Sequence, residues 1–183
     1  MVEIGFELRI VEVLRIDYPN HEDRVETEPV GLFFELGNHS GQSHGFRVSI
    51  DLSGVTIEFQ VQDRAEFESY VDAIYGIVKP PEIKSPLNNL VGSILTGIYF
   101  GFVSSETVYS ESFQSDSGAR VAVLLKIDPN TDFVFWNDGD EGEYSFDLKN
   151  AEERIPLESI VWKEQTYLLE SLAREKVQEQ NES

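Results

Sequence analysis

Residues 46–61 read FRVSIDLSGVTIEFQV, and this stretch decides the fold. Apolar residues occupy every second position on both sides of Ser53 and Gly54, which is the period of a β-strand with one buried face. A two-residue turn at these positions places Ile50 opposite Ile57 and keeps the alternation in register. The sequence therefore predicts a hairpin that buries eight side chains on one face. They are Phe46, Val48, Ile50, Leu52, Val55, Ile57, Phe59 and Val61.

The rest of the first half extends this hairpin into a meander followed by a helix. Period-2 alternation predicts two earlier strands, over 6–16 and 30–36. Asp63 and Glu66 have the spacing of a helix capping box, and apolar residues at helical spacing continue to Val78. We therefore predict the order ββββα for the first half.

The second half repeats this order without residue identity. Strands are predicted at 94–103, 120–127, 132–136 and 144–148, with a helix near 164–176. The segment 154–163 fits either a strand followed by a turn or the first turn of that helix. A long polar loop follows the first strand of each half, at 18–29 and 104–118. The matching order predicts an internal repeat with pseudo-symmetry, although similar strand orders also arise by chance.

These elements predict an α+β protein that is mostly β, built from two antiparallel meander units that each end in a helix. The units cover 1–78 and 90–177, with a proline-rich connector at 79–89 and a frayed tail at 178–183. The chain has 183 residues, of which 40% are hydrophobic, and this is enough for a sizeable core. We expect the two units to pack as one compact body.

The formal net charge of −20 belongs to both halves of the chain. Residues 1–91 hold 16 acidic and 7 basic side chains, and residues 92–183 hold 18 and 7. A surface this acidic repels nucleic acid and anionic lipid, so we expect neither as a direct partner. The lack of cysteine, of a secretory signal and of an apolar run of about 20 residues predicts a cytoplasmic protein without a membrane segment.

Four features of the sequence are candidate sites, and none of them predicts catalysis or a cofactor. Gly41 to Gly45 match G-x-S-x-G, but a strand follows in place of a helix and no histidine lies downstream to act as a base. The three histidines have no metal-ligand spacing. The acidic stretch 137–143 resembles a calcium loop, but Glu143 stands where the invariant glycine belongs, so a β-turn is favoured. Gly97 and Gly101 indicate a buried central strand or, less often, a ligand pocket.

The acidic residues of the two long loops are the remaining anomaly. Runs of this kind are usually a solvated face, but on one edge they would form a negative surface that steers a basic partner. Apolar side chains among them would supply anchors that hold a complex. The predicted partner-binding residues are Glu22, Asp23, Val25, Glu26, Glu28, Glu106, Tyr109, Glu111, Phe113 and Asp116.

We therefore predict an acidic protein-binding module that neutralises or docks onto a basic protein, such as a toxin or a nucleic-acid enzyme. The reasoning is by analogy with small immunity and inhibitor proteins, whose charge covers a basic site. The alternatives are a decoy that mimics DNA, a β domain that binds a small ligand or cation, an unrecognised enzyme and a structural subunit. Salt adaptation fits less well, because the 23 glutamates outnumber the 11 aspartates.

Overall fold

A computed structural model describes residues 7–19, 29–37, 44–51, 56–103, 119–138, 141–155 and 160–181, with the backbone alone for Glu141 and 174–181. Within these ranges the fold is mostly antiparallel β sheet, with 55% strand and three α-helices, in the α+β class. The first half contains β1 Leu8–Asp17, β2 Gly31–Leu36, β3 His44–Ile50, β4 Ile57–Asp63, α1 Arg64–Ala73 and β5 Ile77–Lys79. After a 3₁₀ turn at Pro86–Leu90, the second half contains β6 Ile94–Val103, β7 Ala119–Asp128, β8 Thr131–Asp138, β9 Glu141–Ser145, α2 Leu148–Arg154, β10 Val161–Glu164 and α3 Thr166–Asn181.

The hairpin predicted from residues 46–61 forms in the predicted register. β3 pairs with β4 so that Ile50 faces Ile57, and Phe46 faces Val61 at the other end. Its inward side chains are buried or half-buried in the main core. The prediction is therefore confirmed for the described part of the hairpin, and its turn at 52–55 lies outside the described residues.

The alternation predicts one buried face on each of these strands, but β3 is buried on both faces. Arg47 and Ser49 point away from the main core and are nevertheless buried. Helix α1 covers this face, and its Tyr70 lies against the Arg47 guanidinium. Alternation in β3 alone does not show that a helix will later pack on the polar side of the strand.

The strands form two antiparallel half-sheets that share a short seam. The first has the order β4-β3-β2-β1-β5 and the second has the order β9-β8-β7-β6-β10. The seam consists of two pairs between β1 and β6, Leu8 with Leu95 and Arg9 with Ile94. Beyond the seam, β1 continues along β5 and β6 continues along β10.

The main core lies between the two half-sheets. Phe34 on β2 meets Phe133 on β8 with ring centroids 5.7 Å apart, and residues from both halves belong to this one cluster. The outer face of the first half-sheet is covered by α1, where Phe67 stacks on Phe33. The outer face of the second is covered by α2, where Trp136 is fully buried. Each half-sheet therefore has buried side chains on both faces.

The helix predicted to reach Val78 ends earlier. Its capping box is present, because Asp63 accepts from the Glu66 amide and the Glu66 side chain accepts from the Asp63 amide. The helix stops at Ala73 because Tyr75 takes a positive φ of 55°, which breaks the helical path. The chain then forms β5, which the sequence did not predict, along the edge of β1.

Two further elements of the second half differ from the prediction. Leu148 begins α2 instead of ending a strand, because Asp147 caps the helix by accepting from the amides of Lys149 and Asn150. The segment 154–163 was predicted to be either a strand followed by a turn or the first turn of the last helix, and its residues 161–163 belong to strand β10, so a helix and a strand precede α3. No helix in the described ranges is long and apolar enough to cross a membrane.

Candidate docking surface

Two hydrogen bonds between the half-sheets define one end of the body, which we call the loop end. The amide of Gly142 on β9 donates to the carbonyl of Pro29, which precedes β2, at 3.1 Å. The Arg120 Nε on β7 donates to the carbonyl of Ile57 on β4 at 2.7 Å. Pro29 and Ile57 lie at the same end of the first half-sheet as Asp17, since β1, β2, β3 and β4 are antiparallel neighbours. The matching ends of both half-sheets therefore meet.

Both segments that carry the predicted partner-binding residues are attached at the loop end. Segment 20–28 runs from Pro19 to Pro29, and segment 104–118 runs from Val103 to Ala119. The predicted residues Glu22, Asp23, Val25, Glu26, Glu28, Glu106, Tyr109, Glu111, Phe113 and Asp116 lie outside the described residues. The structure thus locates their attachment points, and their role stays a prediction.

The β8–β9 hairpin places a third acidic stretch at the same end. Asp138 pairs with Glu141 across the turn, as the β-turn interpretation of this stretch requires. Gly142 is held so close to Pro29 and to the ring of Phe135 that a β-carbon there would collide with both. Only glycine allows this approach of the two backbones.

The described ranges contain eleven lysine and arginine side chains, and about half of them are paired with carboxylates. Six of them form ion pairs, and Arg64 alone contacts Glu12, Glu35 and Glu68. The others are Arg9 with Glu7, Arg15 with Asp17, Arg47 with Glu58, Lys126 with Asp132 and Arg154 with Glu143. Ion pairing does not change the net charge, so the excess of carboxylates over basic side chains keeps the surface strongly negative.

Two cations on the second half-sheet lack such partners. The Arg120 guanidinium lies 4.4 Å from the ring centroid of Phe100, and the Lys163 Nζ lies 5.1 Å from that of Phe102. Burial lowers the pKa of Arg120, since a desolvated guanidinium loses hydration. Neither forms an ion pair within the described ranges. No sequence pattern indicated these two residues, because an arginine at the start of a strand is ordinary.

The rejected motifs can be placed only in part. Residues 41–43 lie outside the described ranges, but β3 begins at His44, so a strand follows Ser43 where a nucleophile elbow requires a helix. His21 and His39 also lie outside the described ranges. Among the residues that are described, no cluster of histidine and carboxylate side chains has the make-up of a metal site.

Strand β6 is paired on both edges, as expected for a buried central strand. A β-carbon on Gly101 would collide with Ile160 and Trp162, so the close packing of these two residues against β6 requires glycine at this position.

At the opposite end of the second half-sheet, a polar cleft of about 460 Å³ lies beside the β7–β8 turn. Its Lys126 is already paired with Asp132 at 2.7 Å.

A scan against protein-family models, a search of curated proteins and a search of solved structures each find no match. Function is therefore inferred from the geometry of the loop end and the charge of the chain.

Proposed function

We propose that this protein is an acidic binding module that docks a basic protein on its loop end, in the manner of an immunity or inhibitor protein. One observation carries the proposal. The bonds from Gly142 to Pro29 and from Arg120 to Ile57 bring the attachment points of both acidic segments to the same end of the body. Two stretches that are far apart in sequence are therefore attached at the same end of the fold.

The charge of this end supports the proposal. Segments 20–28, 104–118 and 138–143 carry net charges of −3, −3 and −4, which together make half of the chain's −20. A concentration of like charge on one surface raises the rate at which an oppositely charged protein arrives. The partner should therefore be basic, and its association should weaken with added salt.

The composition of the same segments supports a docking role beyond steering. Val25 lies among the acids of the first segment, and Tyr109 and Phe113 lie among those of the second. Aromatic side chains at the centre of an interface carry much of its binding energy. Carboxylates would bring the partner to the loop end, and these residues would hold it there.

The class of partner follows from its charge. Nucleases and other enzymes that act on nucleic acid are basic, and an acidic protein covers such a site by charge and bulk together. The proposal includes a cytoplasmic location, which the absence of cysteine supports.

We also propose that the two half-sheets are one structural unit repeated with pseudo-symmetry. In each half, four strands and a helix are followed by a strand that pairs with the first strand of that half. The unit is then ββββαβ, one strand longer than the predicted ββββα. An acidic segment follows the first strand of both units, and a repeat explains why it recurs.

The proposal is tested by affinity capture from a lysate at low salt, with elution at high salt. The expected result is one basic protein that elutes with salt and then binds the purified module directly. Duplex DNA serves as a competitor: displacement of the module from a DNA-binding partner would indicate a DNA-mimicking decoy. Capture of no basic protein, or binding insensitive to salt, would contradict the proposal.

A further inference from the structure

Arg120 and Lys163 lie over two adjacent aromatic rings of β6. The Arg120 guanidinium is 4.4 Å from the centroid of Phe100, and the Lys163 Nζ is 5.1 Å from the centroid of Phe102. The two ring centroids are 6.4 Å apart. Two positively charged side chains thus lie against neighbouring aromatic rings, in a chain whose net charge is −20.

The strand register places both cations on one face of the second half-sheet. Phe102 pairs with Arg120 on β7, and Phe100 pairs with Lys163 on β10. Directly opposed residues of an antiparallel pair project to the same side. This side is the inner face, because Phe100 belongs to the main core and Phe102 packs against it.

Arg120 is only partly satisfied by the protein. Its Nε donates to the Ile57 carbonyl at 2.7 Å, and burial lowers the pKa of the guanidinium. Its other N–H groups have no acceptor among the described residues. Glu58 acts on Arg120 from a distance, but its carboxylate is bonded to Arg47 at 3.0 Å. A partly desolvated cation without a counter-charge is unfavourable, and a bound anion would relieve it.

Apolar side chains beside the two cations stay accessible. Val161 on β10 and Tyr167 on α3 are 57% and 62% exposed, and Phe59 and Phe102 are half-buried. Tyr167 is near enough to Arg120 to act on its charge. The surface therefore offers both charge and ring contact to a ligand.

We propose that Arg120 and Lys163 bind an anion that carries an aromatic body, with its carboxylate or phosphate on the two cations and its ring against Phe102 and Tyr167. The guanidinium donates a forked pair of hydrogen bonds to such an oxyanion, and the ammonium adds a second charge. The distant carboxylates of the chain oppose binding only weakly, since salt screens charges beyond about 8–10 Å. The site does not depend on the basic partner proposed above.

The test is a titration of the intact protein with phenyl phosphate, benzoate and inorganic phosphate, followed by the backbone amide NMR signals of residues 100–102 and 161–167. We expect saturable shifts with at least one aromatic anion, and the stronger of the two identifies the preferred head group. Inorganic phosphate should bind at least about tenfold more weakly, because it has no ring to place on Phe102.

The variant Lys163→Gln should weaken the preferred aromatic anion about tenfold, since it removes one charged hydrogen bond. Lys163 is exposed, so this change leaves the core intact. The matched control is Lys84→Gln, which removes the same charge from the exposed connector and should leave the affinity unchanged. The proposal is overturned if neither aromatic anion shifts these signals, if inorganic phosphate binds as well, or if both variants bind like the unaltered protein.

Discussion

The guanidinium of Arg47 on β3 lies 3.4 Å from the ring centroid of Tyr70 on α1. Arg47 is only 5% exposed, and it also bonds the Ser49 hydroxyl and the Glu58 carboxylate. A buried cation is tolerated only while its partners surround it. This contact therefore joins helix to sheet on the outer face of the first half.

Replacing Tyr70 with leucine should lower the free energy of unfolding by about 1–2 kcal/mol, because it removes the aromatic face from a buried cation. Tyr70→Phe keeps the ring and should stay within about 0.5 kcal/mol of the unaltered protein. Urea unfolding followed by circular dichroism measures both. Equal losses for the two variants would show that the ring contact contributes nothing.

Ile57→Ala should lower stability by about 2–5 kcal/mol, because a fully buried branched side chain leaves a cavity in the main core. Gln60→Ala is the matched control on the same strand, since Gln60 is exposed and pairs with Arg47 on the outer side. It should be nearly neutral in the same urea measurement. Similar losses at both positions would refute the assigned faces of β4.

Glu58→Ala should lower stability by about 1–3 kcal/mol, because it leaves the buried Arg47 without its carboxylate. The alternation of the strand alone would place Glu58 towards solvent and predict a neutral effect for alanine. The ion pair with Arg47 changes that prediction to a loss of stability. The double variant with Arg47→Met should recover part of the loss, since no cation is then left unpaired. Additive losses in this cycle would argue against the pairing.

Neutralising the acidic segment in pairs should slow association with the basic partner and flatten its salt dependence, with little change in stability. The pairs are Glu22→Gln with Asp23→Asn, and Glu26→Gln with Glu28→Gln. The control pair is Glu68→Gln, near the middle of α1, with Asp128→Asn, at the end of β7 opposite to the loop end. Stopped-flow association rates at several salt concentrations measure the effect. Wild-type rates and salt slopes for the loop variants would place the docking surface elsewhere.

Tyr109→Ala or Phe113→Ala should instead speed dissociation, with a loss of about 2 kcal/mol in binding free energy if either is a central anchor. Ile83→Ala is the control, because Ile83 is an exposed apolar residue of the connector. Dissociation rates from surface plasmon resonance separate the outcomes. A change confined to the association rate would mean that these residues do not anchor the complex.

Local signals in the sequence were enough for the hairpin and for the start of α1. Turn length and alternation agreed at 46–61, and the spacing of Asp63 and Glu66 is a sufficient cap. Strand β5 and helix α2 were missed because they are three and seven residues long, too short for a periodic pattern. Both elements are stabilised by contacts with residues that are distant in sequence, β5 by pairing with β1 and α2 by packing on the second half-sheet.

The candidate site was also predictable from the sequence only in part. The acidic segments could be recognised from their charge. The hydrogen bond between Arg120 and Ile57 could not be predicted, because it joins residues 63 positions apart and produces no local pattern in the sequence. Lys163 and Arg120 were missed because their interest lies in their contacts with the rings of β6 and in the lack of a carboxylate partner among the described residues. Neither property can be read from the identity of the residue alone.

The two-pair seam between β1 and β6 has a consequence for synthesis of the chain. The first half-sheet is made before any residue of β6 leaves the ribosome, so the inner faces of Phe34, Phe46 and Val48 have nothing to cover them. Their partners, such as Phe133, arrive about a hundred residues later. At about 5–20 residues per second, this apolar surface stays open for seconds. During that interval the nascent first half is the species most exposed to aggregation and to chaperones.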